Sequence, residues 1–169
     1  MKHSSLWQAA GFAVSTLVGT LLHFLYDWTG GFAIFSGVNE STWEHMKLLY
    51  WPLLLFAIFQ RFFFREENYW HIKLAATAIG LALIPVLFYT YNGMFGKSPD
   101  WVNISIFYVA AAAAFGFEWW VFRKNLLQWK RPQLALGALV LMGILFVVFT
   151  FLPPQIPLFQ DPITGEFGI

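Results

Sequence analysis

Five stretches of the chain are apolar at almost every position: 6–28, 43–64, 74–95, 101–122 and 133–152. Each is near the ~20 residues that a helix needs to cross a hydrocarbon core. None alternates with a period of two, and an open sheet edge in lipid would leave backbone groups unsatisfied. The pattern therefore predicts an all-α integral membrane bundle of five transmembrane helices, with residues 1–169 forming one domain. The segment 153–169 is a different kind of chain. Pro153, Pro154 and Pro157 stop the last helix, and Asp161-Pro162-Ile163-Thr164-Gly165 has turn chemistry. Ile156, Leu158, Phe159, Phe167 and Ile169 would not stay in water without packing. An ordered tail is expected, either folded back over the outer face or adhering to the lipid interface.

Polar residues interrupt the apolar pattern most strongly between His23 and Lys47. Thr16, Thr20, His23 and Asp27 are spaced four, three and four, so they share one face of the first helix. Such a face avoids lipid and serves either interhelical hydrogen bonds or a working site. The linker that follows holds Gly30, Gly31 and Gly37 for turning, together with Phe32, Ile34, Phe35 and Val38, which suit the membrane interface. Ser41-Thr42-Trp43-Glu44 is a capping box. Ser41 can accept from the amide of Glu44, and Glu44 can reach back to the amide of Ser41. Pro52 should kink the second helix. Pro85, Tyr89 and Asn92 form a second polar stripe, and Ala110 to Ala114 with Gly116 let another helix approach closely. Glu118 is too deep to be a free surface charge. It is expected to be protonated or paired with a group such as Arg61, His71 or Arg123.

Composition agrees with the membrane class: 59% of the 169 residues are hydrophobic and 11% are charged. A soluble domain carries more charged surface than that. A net charge of +1 leaves no basic surface for nucleic acid. The absence of cysteine excludes disulfides, thiolate metal sites and cysteine nucleophiles. Charge also orients the chain. Lys2, Arg61, Arg65, Lys73, Arg123, Lys124, Lys130 and Arg131 fall on one side of a five-span arrangement, against Lys47 and Lys97 on the other. That split puts the N-terminus in the cytoplasm and the C-terminus outside, in a multi-pass protein of the cell membrane. Trp7, Trp28, Trp43, Trp70, Trp101 and Trp129 lie near span ends, as interfacial anchors do. The apolar run behind Met1–Gln8 is too long for a signal peptide, so the first helix is expected to be retained.

The orientation collects His23, Asp27, Asn39, Glu40, Glu44, His45, Lys47 and Asp161 on the outer side, as candidate ligand-binding residues. His23 and Asp27 can share a proton or face one metal ion. Further ligands would come from Glu40, Glu44, His45 or Asp161, and the set His23, Asp27, Glu44 and His45 suits zinc or another divalent cation. Against this, HExxH is absent, and the adjacent Glu44 and His45 diverge by ~100° on a helix. An ion-pair network that includes Lys47 is the competing reading. There is no phosphate loop, no G-x-S-x-G elbow and no dinucleotide fingerprint. Ser41 is better explained as an N-cap than as a nucleophile.

Val-Asn-Glu-Ser-Thr-Trp-Glu-His-Met-Lys-Leu at 38–48, His-Phe-Leu-Tyr-Asp-Trp at 23–28 and the ending from Phe149 to Ile169 resemble a family of small bacterial multi-pass membrane proteins of unknown function. The resemblance covers nearly the whole chain. It implies five helices, places His23, Asn39, Glu40, Trp43, Glu44, His45, Asp161 and Gly165 in the family pattern, and implies no activity. A looser similarity is to the seven-helix membrane hydrolases that include alkaline ceramidases, from which this chain departs in span number and in lacking paired histidines on its last helix. The function expected is an outward-facing polar pocket for a small ligand, ion or lipid head group. The alternatives are a membrane-embedded metal-dependent lipid hydrolase and a non-catalytic accessory subunit of a membrane complex. The partners expected are the bilayer, a small ligand or lipid, and an oligomer or membrane partner.

Overall fold

A computed structural model of the chain describes residues 4–124, 126–127 and 130–169. Lys2 and Trp129, used above for orientation and anchoring, lie outside the described residues. The fold is all-α. Helices α1 (Ser4–Thr29), α2 (Thr42–Arg61), α3 (Tyr69–Phe95), α4 (Asp100–Lys124) and α5 (Pro132–Phe151) follow one another, and a short 3-10 turn at Pro157–Phe159 lies in the tail. Four of the five, α1, α3, α4 and α5, are long and apolar enough to cross a membrane. Helix α2 is not among them, although its sequence predicts a span. It carries Glu44, His45, Lys47, Gln60 and Arg61, and these lower its hydropathy.

That composition follows from position. Helix α2 packs against α1, α3, α4 and α5, so its polar groups face protein rather than lipid. Glu44, Lys47 and Gln60 are all buried. Around it, the bundle surface is the reverse of a soluble one. Leu17, Leu55, Val86, Ile104, Val140 and Ile144 each stand more than half exposed. Apolar side chains in that number on the outside mark contact with lipid or protein.

Small residues let the helices close. A Cβ on Gly19 would lie 2.6 Å from Phe107 and 2.8 Å from the Leu48 carbonyl, so glycine alone fits where α1 meets α2 and α4. The small run of α4 divides: Ala110, Ala111 and Ala114 are buried in the core, whereas Ala112 and Gly116 are exposed and nothing packs against Gly116. The threonines of α1 do not bond between helices. Thr16 donates to Phe12 O at 2.8 Å and Thr20 to Thr16 O at 2.9 Å, both within α1. The tryptophans also divide. Trp28 and Trp101 are exposed near helix ends, but Trp43 packs on Phe146 and Phe159, and Trp7 on Phe63.

Helix α3 begins at Tyr69, five residues before the expected start of its span at 74. The difference changes the partner of Glu118. Lys73 lies one turn inside α3, and its Nζ donates to Glu118 Oε2 at 2.6 Å, both groups being buried. The pair is therefore Lys73–Glu118, in place of the Arg61, His71 or Arg123 expected from sequence. The Lys73 ammonium also faces the rings of Phe56, Tyr69 and Phe115, which favour a desolvated cation.

Candidate functional site

The residues expected to form a site separate into two neighbouring groups at one end of the bundle. The first is structural. Ser41 caps α2, accepting from the Glu44 amide at 3.3 Å. The reciprocal half of the capping box is absent: Asn39 Oδ1 accepts from the Ser41 amide at 2.9 Å, while Glu44 Oε2 accepts from the Val38 amide at 3.2 Å. Glu44 turns inward to pair with Lys47. Lys47 Nζ also donates to Ala33 O at 2.8 Å and to the Thr150 hydroxyl at 2.9 Å. This network ties the 30–41 linker to α2 and α5. It consumes the donors of Lys47 and both oxygens of Glu44, since Thr150 Oγ1 lies 3.2 Å from Oε1.

Two more of the expected residues are held by the tail. Asn39 Nδ2 donates to Gly168 O at 2.9 Å. Asp161 caps its own turn, with Oδ1 accepting from the Ile163 amide at 2.7 Å. Its main-chain amide and carbonyl bond Glu166 O and the Gly165 amide, each at 2.9 Å. Asn39, Glu44, Lys47 and Asp161 thus serve as struts.

The second group is open. His23 Nε2 lies 3.5 Å from Glu40 Oε1, and His45 Nε2 lies 3.5 Å from Glu40 Oε2. One ligand atom from each of the three residues falls within 4.8 Å of the others. The two imidazole rings are 5.5 Å apart. His23 and His45 come together, and Glu40, from the linker, stands between them where the sequence set had Asp27 and Glu44. Asp27 is exposed and stands outside the cluster. The imidazole of His23 is the strongest influence on Glu40 and holds its carboxyl below the ordinary range. Burial opposes this, and His45 adds to it.

Local structure aims each member. Ser36, which pattern reading missed, donates from its hydroxyl to Leu22 O at 2.7 Å and accepts from the Tyr26 amide at 2.8 Å. A side chain inserted into the helical ladder at that point fixes the α1 end that carries His23. His45 Nδ1 lies 3.0 Å from Ser41 O. A carbonyl only accepts, so Nδ1 carries the proton and Nε2 faces Glu40.

Beside the cluster lies a cavity of about 420 Å³. Thr20, His23, Glu40, His45, Asp100 and Asn103 are its polar lining, and Phe24, Ile104, Phe107 and Tyr108 are apolar lining. Ile163 of the tail lies at its rim. A smaller space of about 80 Å³ shares Glu40, His45, Asn103, Phe107 and Ile163 with it and reaches Asn92 and Ser98. Ser98 joins that polar turn by donating from its hydroxyl to Asn103 Oδ1 at 2.7 Å and from its main-chain amide to Asn92 Oδ1 at 2.8 Å. Asn103, Phe107 and Ile163 carry no motif. Only the packing of α4 and the tail brings them to the site.

Neither curated proteins nor solved structures include a match to this chain. A family model matches residues 1–169, and on that match the chain belongs to the family of unknown function DUF6512.

Proposed function

We propose that the protein is a multi-pass membrane protein whose outward-facing pocket binds the polar head of a single amphipathic molecule. The observation that carries this reading is the cavity itself. Its lining combines two imidazoles, the carboxylates of Glu40 and Asp100 and the amide of Asn103 with aromatic and aliphatic side chains. A head group would take hydrogen bonds from the polar lining, while an acyl or other apolar portion would lie against Phe24, Ile104 and Phe107. Ligand sites commonly combine apolar walls with a few converging polar groups. In this reading all five helices cross the cell membrane. Helix α2 crosses shielded by the other four, the N-terminus is cytoplasmic, and the tail lies on the outer face beside the pocket mouth.

The test is native mass spectrometry of protein released from membranes, with lipid extraction of the same sample. The wild type should carry a stoichiometric amphiphile. Ile104→Trp, which adds bulk at an apolar lining residue and replaces no polar one, should lose it. His45→Ala should weaken binding by about tenfold to a hundredfold, the equivalent of one hydrogen bond to a charged group. Equal retention by the wild type and Ile104→Trp would exclude the pocket as the binding place.

A further inference from the structure

We propose that His23, Glu40 and His45 form a divalent-metal site of the zinc class in the polar lining of this cavity. The inference rests on the pocket reading and deepens it, because the metal would present its open coordination position to the bound head group. Three observations carry it.

The first is ring orientation. The Ser41 carbonyl takes the Nδ1 side of His45, which leaves Nε2 as the ring atom that faces Glu40. A divalent cation between that nitrogen and the Glu40 carboxylate would bind both. Metal-bound histidines characteristically donate their other N–H to a carbonyl or carboxylate in this way. The second is distance. A proton shared between imidazolium and carboxylate draws nitrogen and oxygen to about 2.7–2.9 Å. Both Glu40 separations are 3.5 Å. Bonds of about 2.0–2.1 Å to a tetrahedral zinc place neighbouring ligand atoms about 3.3 Å apart. Each imidazole stands 3.5 Å from a different oxygen of Glu40, and one ligand atom from each residue lies within 4.8 Å of the others, so the set is wider than a closed tetrahedron and would draw in around an ion, while both separations are too long for charge-assisted hydrogen bonds. The third is the donor set. Two imidazoles and one carboxylate leave a fourth position for water or substrate oxygen, as three-ligand zinc sites do. That side opens on the cavity, since His23, Glu40 and His45 all line it.

Asp100 also lines the cavity but contributes no atom to the cluster. Glu44 is committed to Lys47, Val38 and Thr150, and Asp161 to its own turn. The site therefore differs from the one its sequence first suggests, with Glu40 in place of both Asp27 and Glu44.

The experiment uses the full-length protein in lipid nanodiscs. It is stripped with chelator, dialysed and titrated with Zn²⁺, then separately with Co²⁺, whose visible spectrum reports coordination geometry. The wild type should take up one Zn²⁺ per chain and show a tetrahedral or five-coordinate Co²⁺ spectrum. Glu40→Gln keeps the shape of the side chain, and His45→Ala removes a ligand. Each should weaken Zn²⁺ binding on the order of a hundredfold or more, as loss of ligand or ligand charge does. Asp27→Asn should bind as the wild type. Matching circular dichroism and thermal unfolding of the metal-free proteins guards against misfolding. Absence of stoichiometric Zn²⁺ in the wild type, or unchanged uptake by Glu40→Gln, would overturn the metal site. Amphiphile retention measured on the same stripped sample separates the two readings. Retention without any Zn²⁺ uptake sinks the metal alone, whereas Zn²⁺ uptake with equal amphiphile content in wild type and Ile104→Trp sinks the pocket reading and leaves the metal.

Discussion

Glu44 and Lys47 show how one side chain can be essential without touching a ligand. They stand one helical turn apart on α2, both buried, with Thr150 of α5 and the Ala33 carbonyl completing their hydrogen bonds. Removing the cation strands a carboxylate in a dry interior, which costs about 3–5 kcal/mol for a buried pair. Lys47→Met should therefore lower stability by that amount in denaturant unfolding from detergent micelles. Lys47→Met combined with Glu44→Gln should recover most of the loss, because no uncompensated charge remains. Unfolding of Lys47→Met at the wild-type midpoint would show that the pair contributes nothing. Thr150→Val is the milder probe. It removes a neutral hydroxyl from the network and should cost about 1 kcal/mol. A lone threonine in the apolar second half of α5 was the only sequence signal for Thr150, and the reading passed over it. His23 and His45 were legible because spacing and motif put them near one end of adjacent helices. Glu40 was legible as a candidate, but its role was not. A linker residue takes its direction from tertiary contacts, here the bonds of Ser36 and Asn39 that shape the linker.

At the level of helices, hydropathy located all five elements, because lipid-facing runs need only apolar side chains. It erred where a helix is polar for tertiary reasons. Lys73 falls just before the span expected at 74–95 and counts among the orienting basic residues, yet it lies a turn inside α3 and meets Glu118. A hydropathy reading cannot tell a lysine at a span edge from one that enters the bundle. The same limit explains α2, whose buried polar groups make it less apolar than the helices around it. Glycine shows the close approaches more directly. Gly19→Ala would push a methyl against the Leu48 carbonyl, which is backbone and cannot swing aside. An overpacked contact of this kind typically costs about 1–3 kcal/mol. The melting temperature of Gly19→Ala should fall accordingly, whereas Gly137→Ala, at a position with open space around it, should match or exceed the wild type, as alanine is the better helix former. Equal melting of Gly19→Ala and wild type would mean that α1 and α2 can separate without loss.

For the whole molecule, the decisive quantity is the number of crossings. Five crossings place the 30–41 linker, the turn near Lys97 and the tail on one side, and the loops near Glu67 and Lys130 on the other. Four would separate positions that the site holds together. His45 at the start of α2 meets His23 near the end of α1, and Asn39 meets Gly168, so linker and tail must share a face. The Lys73–Glu118 pair joins the start of α3 to the last third of α4, at the other end of the bundle. A less apolar α2 is compatible with this arrangement, because Glu44 and Lys47 pair inside the bundle and Leu55, Ile58 and Phe59 make up its exposed face. The chain contains no cysteine, so single cysteines can be introduced without a background. Glu166→Cys and Lys97→Cys, both at exposed positions, should react with a membrane-impermeant maleimide in intact cells. Glu67→Cys and Lys130→Cys, also exposed, should react only after the membrane is opened. The basic residues predict that polarity, since those retained on the cytoplasmic side anchor the loops near Glu67 and Lys130. Labelling of Glu67→Cys in intact cells together with protection of Glu166→Cys would invert the orientation and turn the cavity toward the cytoplasm. Labelling of Lys97→Cys but not Glu166→Cys would break the shared face, and with it the pocket assembled from linker, helices and tail.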